Sequence, residues 1–466
     1  MIRTLQQHAV HKGIDVYMEC TIDRLLTDGE RVCGAFGYWR ESGKFVLFPA
    51  RAVVLATGGV GKAWKITSNS WEYTGDGIAM ALDAGADLID MEMVQFHPTG
   101  MVAPASVRGI LVTEGVRGDG GTLKNNQGKR FMFDYIPEFF RADTADTERE
   151  ADAWYDDKRN NRRTPDLLPR DEVARAINSE VKAGRGTKNG GVYLDIASRR
   201  SADYIRKRLP SMYHQFKELA DVDITTTPME VGPTLHYVMG GVRVDADTAA
   251  STVPGLYAAG EVAAGMHGAN RLGGNSLSDL LVFGRRAGAA AAEYASGINA
   301  RPVDDGQVEE AARSVLAPFE GEGGENPYAL HAELQETMQA LVGIIRTEAE
   351  LVRAVAKLDG LGERVERVTV EGNRQFNPGW HLALDLRSML TVSQACTRSA
   401  LLRTESRGGH TRQDYPKADP EWGKKNVVTR KRGGMLELTT EPLPQLPEEL
   451  RQLVLSEEKQ PERQPA

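Results

Sequence analysis

The chain has 466 residues, enough for a sizeable core and for domains of roughly 100 to 200 residues each. A formal net charge of -8 gives no electrostatic reason to expect nucleic acid as a partner. The three cysteines, Cys20, Cys33 and Cys396, form no C-x-x-C pair, which argues against disulfides, zinc or iron-sulfur ligation within the chain and fits a reducing cytoplasm.

Residues Met1 to Gly13 read as a helix with Leu5 and Val10 as apolar contacts. Its histidines, His8 and His11, fall among polar neighbours as ordinary surface residues. Ile14 to Cys20 alternates as a strand. Val32 to Tyr38 and Lys44 to Phe48 are aromatic and β-branched runs joined by Arg40-Glu41-Ser42-Gly43, the pattern of a hairpin. Ala52 to Ala56 is a short apolar run of the kind that makes a buried strand, and it delivers Thr57-Gly58-Gly59 to a ligand site. Thr74-Gly75-Asp76-Gly77 opens a helical stretch over 78–84, where Asp76 either caps the helix or accepts hydrogen bonds from a sugar or flavin edge. No apolar run approaches the roughly 18 residues of a membrane span, and the N-terminus lacks the layout of a signal peptide.

Asp90 to Gly100 sets His97 and Thr99 around a proline, and Leu111-Val112 runs as a strand into Thr113-Glu114-Gly115-Val116-Arg117-Gly118. A histidine, a threonine, a glutamate and an arginine arriving together warrant a site hypothesis. Between Phe139 and Pro165 charge dominates and the stretch reads as a solvated helix or an excursion on the surface. Leu167 to Ile177 starts a helix with Val173 and Ile177 on its inner face. Arg170 near that N-terminus opposes the helix dipole, so it is either solvated or held there to meet an anion. After the strand Gly191 to Asp195 and a basic helix near Ala202 to Leu209, His236 sits ahead of Gly240-Gly241.

The most informative stretch is Leu256 to Leu281. A strand ends in Gly260-Glu261, and a glycine loop carries His267, Asn270 and Arg271 to a helix starting near Asn275 or Ser276. Glycines let backbone approach a ligand, the first amides of the helix favour negative charge, and Arg271 can hold a carboxylate by two hydrogen bonds. The spacing over 307–402 is helix-rich, and the charged, proline-bearing end of the chain reads as disordered.

Taken in order, ATGG at Ala56, TGDG at Thr74, QFHPTG at Gln95, TEGVRGDGG at Thr113, LLPRDEVARAI at Leu167, HYVMGG at His236, AAGE at Ala258 and HGANRLGGNSL at His267 resemble the flavoprotein subunit of succinate dehydrogenase and fumarate reductase. The similarity runs from about residue 14 through Tyr415 and includes RTESRGGHTRQDYP at Arg403. It implies a mixed α/β fold with an FAD-binding Rossmann-like domain over 1–96 and 237–300. A capping, substrate-binding domain over 97–236 is inserted in it; a helical domain over 307–402, a C-terminal region over 403–453 and a disordered tail over 454–466 follow.

The resemblance further implies FAD as cofactor, contacted by Gly58, Gly59, Asp76, Glu261, Asn275, Ser276 and Leu277. His97, Thr113, His236 and Arg271 would surround succinate or fumarate, with His267 a further candidate beside Arg271. Arg170 would transfer the proton through a relay of Glu114 and Arg117; no metal site is implied. An iron-sulfur subunit would take the electrons, and membrane-anchor subunits would hold the complex at the cytoplasmic face of the membrane, with this chain peripheral. The family's opening G-x-G-x-x-G turn and flavin-linking histidine have no counterpart before Gly58, so the FAD-binding domain is expected to lack its N-terminal part, which leaves open whether the chain is active or inactive by itself. Two other readings are an L-aspartate oxidase-like soluble flavoenzyme and a non-catalytic fragment that binds a partner.

Overall fold

A computed structural model describes residues 1–321 and 323–452; the tail expected over 454–466 lies outside them. Helix α1 (Ile2–His11) buries none of its residues. The first strand, β1 (Cys20–Thr27), begins where the alternation over 14–20 was expected to end. Ile14, Val16, Tyr17 and Met18 are exposed, so no sheet face selects them, whereas Leu25 and Leu26 are buried. Strands β1, β2 (Val32–Trp39) and β3 (Phe45–Pro49) form one antiparallel sheet, which includes the expected hairpin. Its Leu26, Phe36 and Tyr38 pack on Trp380.

Strand β4 (Val53–Leu55) leads to Gly58 and Gly59. Expected to be buried, it leaves Val54 39% exposed, because its sheet has two strands only and one face stays open. Helix α2 (Asp76–Asp83) buries Ile78 to Leu82 without a break, and β5 (Leu88–Ile89) follows.

The chain then builds a second layer with its own core. Strand β6 (Val94–Met101) precedes the one-turn helix α3 (Gly115–Gly118), β7 (Thr122–Lys124), α4 (Glu148–Asp156) and α5 (Arg170–Lys182). Next come β8 (Val192–Asp195), α6 (Ala202–Arg208), α7 (Pro210–Ala220) and β9 (Met229–Val238). The sheet order is β6-β9-β8-β7, antiparallel throughout. Val173 and Ile177 of α5 enter this core as their spacing predicts. Leu111 makes only an isolated bridge to Gly100 rather than a strand. The charged stretch over 139–165 is more than a solvated excursion: Asp152 pairs with Arg130 and Arg199, and Thr164 is buried. Periodicity misses this docking because ion pairs, not apolar side chains, supply it.

Returning to the first layer, β10 (Gly241–Val242) pairs with β5, and β11 (Leu256–Ala258) lies parallel to β4. Helix α8 (Asn275–Ser296) packs Ala287 and Ala291 against Tyr257 and Ala259. The helical region comprises α9 (Asp305–Leu316), α10 (Pro327–Leu341), α11 (Glu348–Val365) and α12 (Pro378–Leu402). Asn326 and Asn377 cap α10 and α12 ahead of a proline, and Thr347 with Glu350 forms a capping box on α11.

The last hairpin, β12 (Lys425–Arg432) and β13 (Met435–Pro442), turns at Gly433-Gly434 and joins β5, giving the sheet order β10-β5-β12-β13. The C-terminal stretch is thus woven into the first layer. Arg403 secures it: the guanidinium, 2% exposed, binds Glu92, reaches Asp90 at 3.0 Å and reaches Glu405 at 3.0 Å. Removing it strands buried carboxylates, a loss of about 3–5 kcal/mol. Arg403→Ala is therefore expected to lower the unfolding free energy by that amount, measured by urea titration, with Arg403→Lys losing less.

Candidate active site

Between the layers lies a hollow of about 420 Å³, lined among others by Gly58, Tyr73, His236, Glu261, Arg271 and Leu277. Two glycines are required on its wall. Gly58 has φ +76°, and a Cβ on Gly59 would stand 2.4 Å from Glu261 Oε1. Glu261 is buried and accepts the Val238 N–H at 3.0 Å. Burial pushes its carboxyl up to about 7. Helix α8 begins at Asn275 after Gly274 with φ +88°, and Ser276 and Leu277 of its first turn line the hollow.

Arg271 is 5% exposed. Its Nη1 donates to Ser276 Oγ at 3.1 Å and its Nη2 to Gln95 Oε1 at 3.0 Å. Its Nε, also buried, has no acceptor among the described residues. An unpaired charged N–H is costly to bury, so this edge is built for an anionic acceptor. Gln95 is a residue that sequence reasoning missed. Its amide accepts from the guanidinium and donates to Arg271 O at 2.7 Å and to Asn270 Oδ1 at 2.7 Å, which fixes the loop. The only sequence signal was its place two residues before His97.

The second layer lines the hollow with His236 and Tyr237 and brings Arg170 beside the glycine loop. The nearest approach to Gly273 comes from Arg170, whose Nη2 would lie 3.0 Å from a Cβ there, so Arg170 and Arg271 share one site. Arg170 Nε contacts Glu114 Oε2 at 3.1 Å, and the same oxygen lies 3.8 Å from Arg117 Nη2. Arg117 is fully buried; Nη1 donates to Asp166 O at 2.6 Å, while Nε and Nη2 have no hydrogen-bond acceptor among the described residues. Burial, opposed by Glu114 and Asp166 and reinforced by Arg170, draws its guanidinium below the ordinary value. Arg271 is lowered likewise by burial and then by Arg170. The charge of Arg170 thus acts on both buried guanidiniums, and such a gathering of cations calls for negative charge.

His97 and His236 come from the paired strands β6 and β9, their rings 5.4 Å apart. Burial, then Arg117 and Arg170, holds His97 well below its ordinary value, and burial with Arg271 and Arg170 pushes His236 down to about 4. Both are neutral near pH 7. His97 Nδ1 lies 3.2 Å from the Thr99 N–H, and His236 Nδ1 lies 2.9 Å from Ser68 Oγ. Thr113 is exposed and its Oγ1 accepts the Gly115 N–H at 3.3 Å.

His97, Thr113, Glu114, Arg117 and Arg170 stand outside the lining of the hollow, and two further expected residues have partners elsewhere. His267 turns to Asp279 at 3.4 Å and does not line the hollow. Asp76 does not cap α2, where Gly75 is the N-cap; it accepts from Thr74 Oγ1 at 2.9 Å and lines a second cavity of about 800 Å³ with Asp385 and Arg40. Thr57 lines both cavities. Burial raises the carboxyls of Asp76 and Asp385, and the charge of Asp76 raises Asp385 further. Among the described residues no group of three or more His, Cys, Asp or Glu is disposed to hold a metal ion, and no helix is long and apolar enough to cross a membrane.

Comparison with known proteins matches residues 1–277 to the FAD binding domain family and residues 331–453 to the fumarate reductase flavoprotein C-terminal family. A fumarate reductase (CoM/CoB) subunit of Methanothermobacter marburgensis is 42% identical over 431 residues, 92% of this chain and 73% of that protein. The fumarate reductase flavoprotein subunit of Mycobacterium tuberculosis is 38% identical, covering 90% of this chain and 71% of that one. Among solved structures, Mycobacterium smegmatis Sdh1 in complex with UQ1 superposes with TM-score 0.82 at 57% identity, covering 98% of this chain and 74% of that chain. A quinol-fumarate reductase with menaquinol molecules superposes with TM-score 0.85 at 33% identity, covering 96% and 76% respectively.

FAD is the cofactor these relationships indicate, and the hollow fits its flavin end. Gly58 and Gly59 leave bare backbone on the wall, Glu261 stands beside them, and the first turn of α8 opens at the same place.

Glu261 gives a measurable signature. A carboxyl raised from 4.5 to about 7 in the folded chain is held neutral there. Its contribution to stability is fully present below about pH 4.5 and is lost as pH rises through 7. In flavin-free protein, Glu261→Gln is expected to gain stability relative to the parent between pH 5 and pH 8, by up to about 3 kcal/mol from the 1.36 kcal/mol per pKa unit. Urea denaturation at the two pH values checks this; parallel losses in both proteins would refute it.

Proposed function

The chain belongs to the flavoprotein-subunit family of succinate dehydrogenases and fumarate reductases, and from that premise we propose how its residues interconvert succinate and fumarate. The observation that carries the reading is the buried Arg271 edge with its unpaired Nε, set beside Arg170 through Gly273.

One carboxylate of the substrate takes the Nε edge of Arg271 in charge-assisted hydrogen bonds. His236, neutral and braced by Ser68, adds a donor there. The other carboxylate meets His97 and Thr113. Neutral imidazoles suit this task because they donate without adding to the repulsion among the guanidiniums. FAD supplies the hydride acceptor for succinate oxidation and the donor for fumarate reduction. The remaining proton, on the neighbouring carbon, is moved by Arg170.

An arginine is an unusual acid or base because its pKa lies above about 12. Here Glu114 Oε2 stands between Arg170 and Arg117, and burial together with the charge of Arg170 draws the Arg117 guanidinium below its ordinary value. Glu114 thus links Arg170 to Arg117, a route that carries the proton away from Arg170 after succinate oxidation and back to it after fumarate reduction. Gly58, Gly59, Glu261 and the α8 start at Asn275, Ser276 and Leu277 would hold the flavin, and Asp76, which lines the second cavity, would serve the same cofactor.

Electrons then leave to an iron-sulfur partner subunit, since this chain carries three scattered cysteines and no cluster motif. The complex sits at the cytoplasmic face of a membrane through further anchor subunits, with this chain at its periphery.

The test uses the purified chain supplied with FAD. A bound flavin absorbance that bleaches on adding succinate, and not on adding aspartate, supports the reading; a flavin unaffected by succinate overturns it. Arg170→Ala should retain measurable fumarate binding while turnover falls about 10²–10⁴-fold, the usual worth of a general acid or base. Unchanged turnover would remove Arg170 from the proton step.

A further inference from the structure

Tyr237 follows His236 on β9 and takes no part in the chemistry above. It is 7% exposed and lines the hollow, and its hydroxyl makes no hydrogen bond among the described residues. Its ring carries the Arg271 guanidinium, 4.5 Å from the centroid. The same ring meets His267 edge-on, with centroids 5.4 Å apart and planes at 79°.

His267 in turn faces Asp279 on α8, Nε2 to Oδ2 at 3.4 Å, with side-chain exposures of 8% and 3%. Neither Asp279 oxygen nor His267 Nε2 makes a hydrogen bond among the described residues. The buried Asp279 faces the imidazole from α8 while the imidazole lies edge-on to the phenol ring, so the three side chains stack in sequence.

We propose that Tyr237 is a positioning residue for the dicarboxylate: its ring face holds the Arg271 guanidinium in the binding orientation, and the buried His267–Asp279 pair holds the ring. This rests on reading Arg271 as the carboxylate's ligand. Three contacts then fix the guanidinium: Gln95 on Nη2, Ser276 on Nη1 and Tyr237 on its face. The Nε edge is the part left for substrate. A cation over an aromatic face is favoured most where water is excluded, and a guanidinium already oriented loses little freedom when the anion arrives. The ring face does this work, so phenylalanine should replace tyrosine and an aliphatic residue should not.

Two measurements on the full chain decide the matter. In FAD-loaded protein, fumarate binding by calorimetry should stay within about two-fold of the parent in Tyr237→Phe and weaken about ten-fold or more in Tyr237→Leu, with KM rising further than kcat falls. His267→Gln should weaken binding in the same direction and provides the test if the leucine variant does not fold. In ligand-free protein, exchange of the Arg271 Nε–H followed by NMR should quicken in Tyr237→Leu and His267→Gln and stay unchanged in Tyr237→Phe. Tyr237→Leu with parental binding and parental exchange would overturn the proposal, as would Tyr237→Phe failing as badly as Tyr237→Leu. A parent chain that binds no fumarate would instead overturn the functional reading, and the exchange measurement would still judge the role of Tyr237.

Discussion

A guanidinium cannot lose water without finding acceptors, and the interior of this chain is arranged around that constraint. Arg130 is held by Asp152, Asp166 and Thr164, and Arg403 by Glu92, Asp90 and Glu405. Arg412 is held by Asp414 and backbone carbonyls, and Arg346 by Glu92 O and His410. These four make the structural joints. Arg117 and Arg271 are as deeply placed but keep buried N–H groups without acceptors among the described residues. The difference between satisfied and unsatisfied buried arginines separates the scaffold from the site.

Placement of the site follows from how the two layers meet. Strands β6 and β9 are paired neighbours of the second layer, and each carries a histidine of the site together with a neighbour that reaches the first layer. Gln95, two residues ahead of His97, grips the Arg271 loop, and Tyr237, next to His236, carries the Arg271 guanidinium on its ring. The C-terminal loop braces the same strands and loop from outside: a Cβ on Gly408 would stand 2.3 Å from Ala269 O, and one on Gly409 would stand 2.8 Å from Val94 O. This explains why a segment far along the sequence, RTESRGGHTRQDYP at Arg403, belongs with the active-site motifs although it lines no wall of the hollow.

The sequence carried the local elements well where one signal dominated. The hairpin over 32–49, the inner face of α5 at Val173 and Ile177, and the glycine loop ending at Asn275 could be read from alternation, helical spacing and glycine placement. The motif series made the mixed α/β flavoprotein fold legible as a whole. Errors arose where the deciding interaction lay between distant residues. The run over 14–20 alternates like a strand yet has no sheet face to choose it, and the charged stretch over 139–165 docks by ion pairs that no periodicity encodes. Gln95 and Tyr237 escaped for the same reason, since their partner Arg271 is far along the chain and a glutamine or tyrosine in an apolar strand reads as packing. His267 was drawn to the substrate by its nearness in sequence to Arg271, whereas Asp279 on the following helix turns it away.

Charge balance ties the assembly to its ligand. Arg170, Arg117 and Arg271 bring three guanidiniums to the junction, Glu114 bridges two of them, and Glu261, with its carboxyl near 7, is only partly ionised at neutral pH. The histidines add no charge, because burial and the same guanidiniums keep them neutral. The positive excess is therefore of the order of a dianion's charge, while a monoanion would leave a buried guanidinium unpaired. Selectivity for a dicarboxylate then follows from electrostatics that the protein cannot relax by itself, since Arg117 and Arg271 are both nearly or fully buried and cannot swing to solvent. The two histidines contribute nothing to that excess near pH 7, since burial first and the guanidiniums second keep them neutral, so Glu261 is the member of this set whose charge changes around neutral pH.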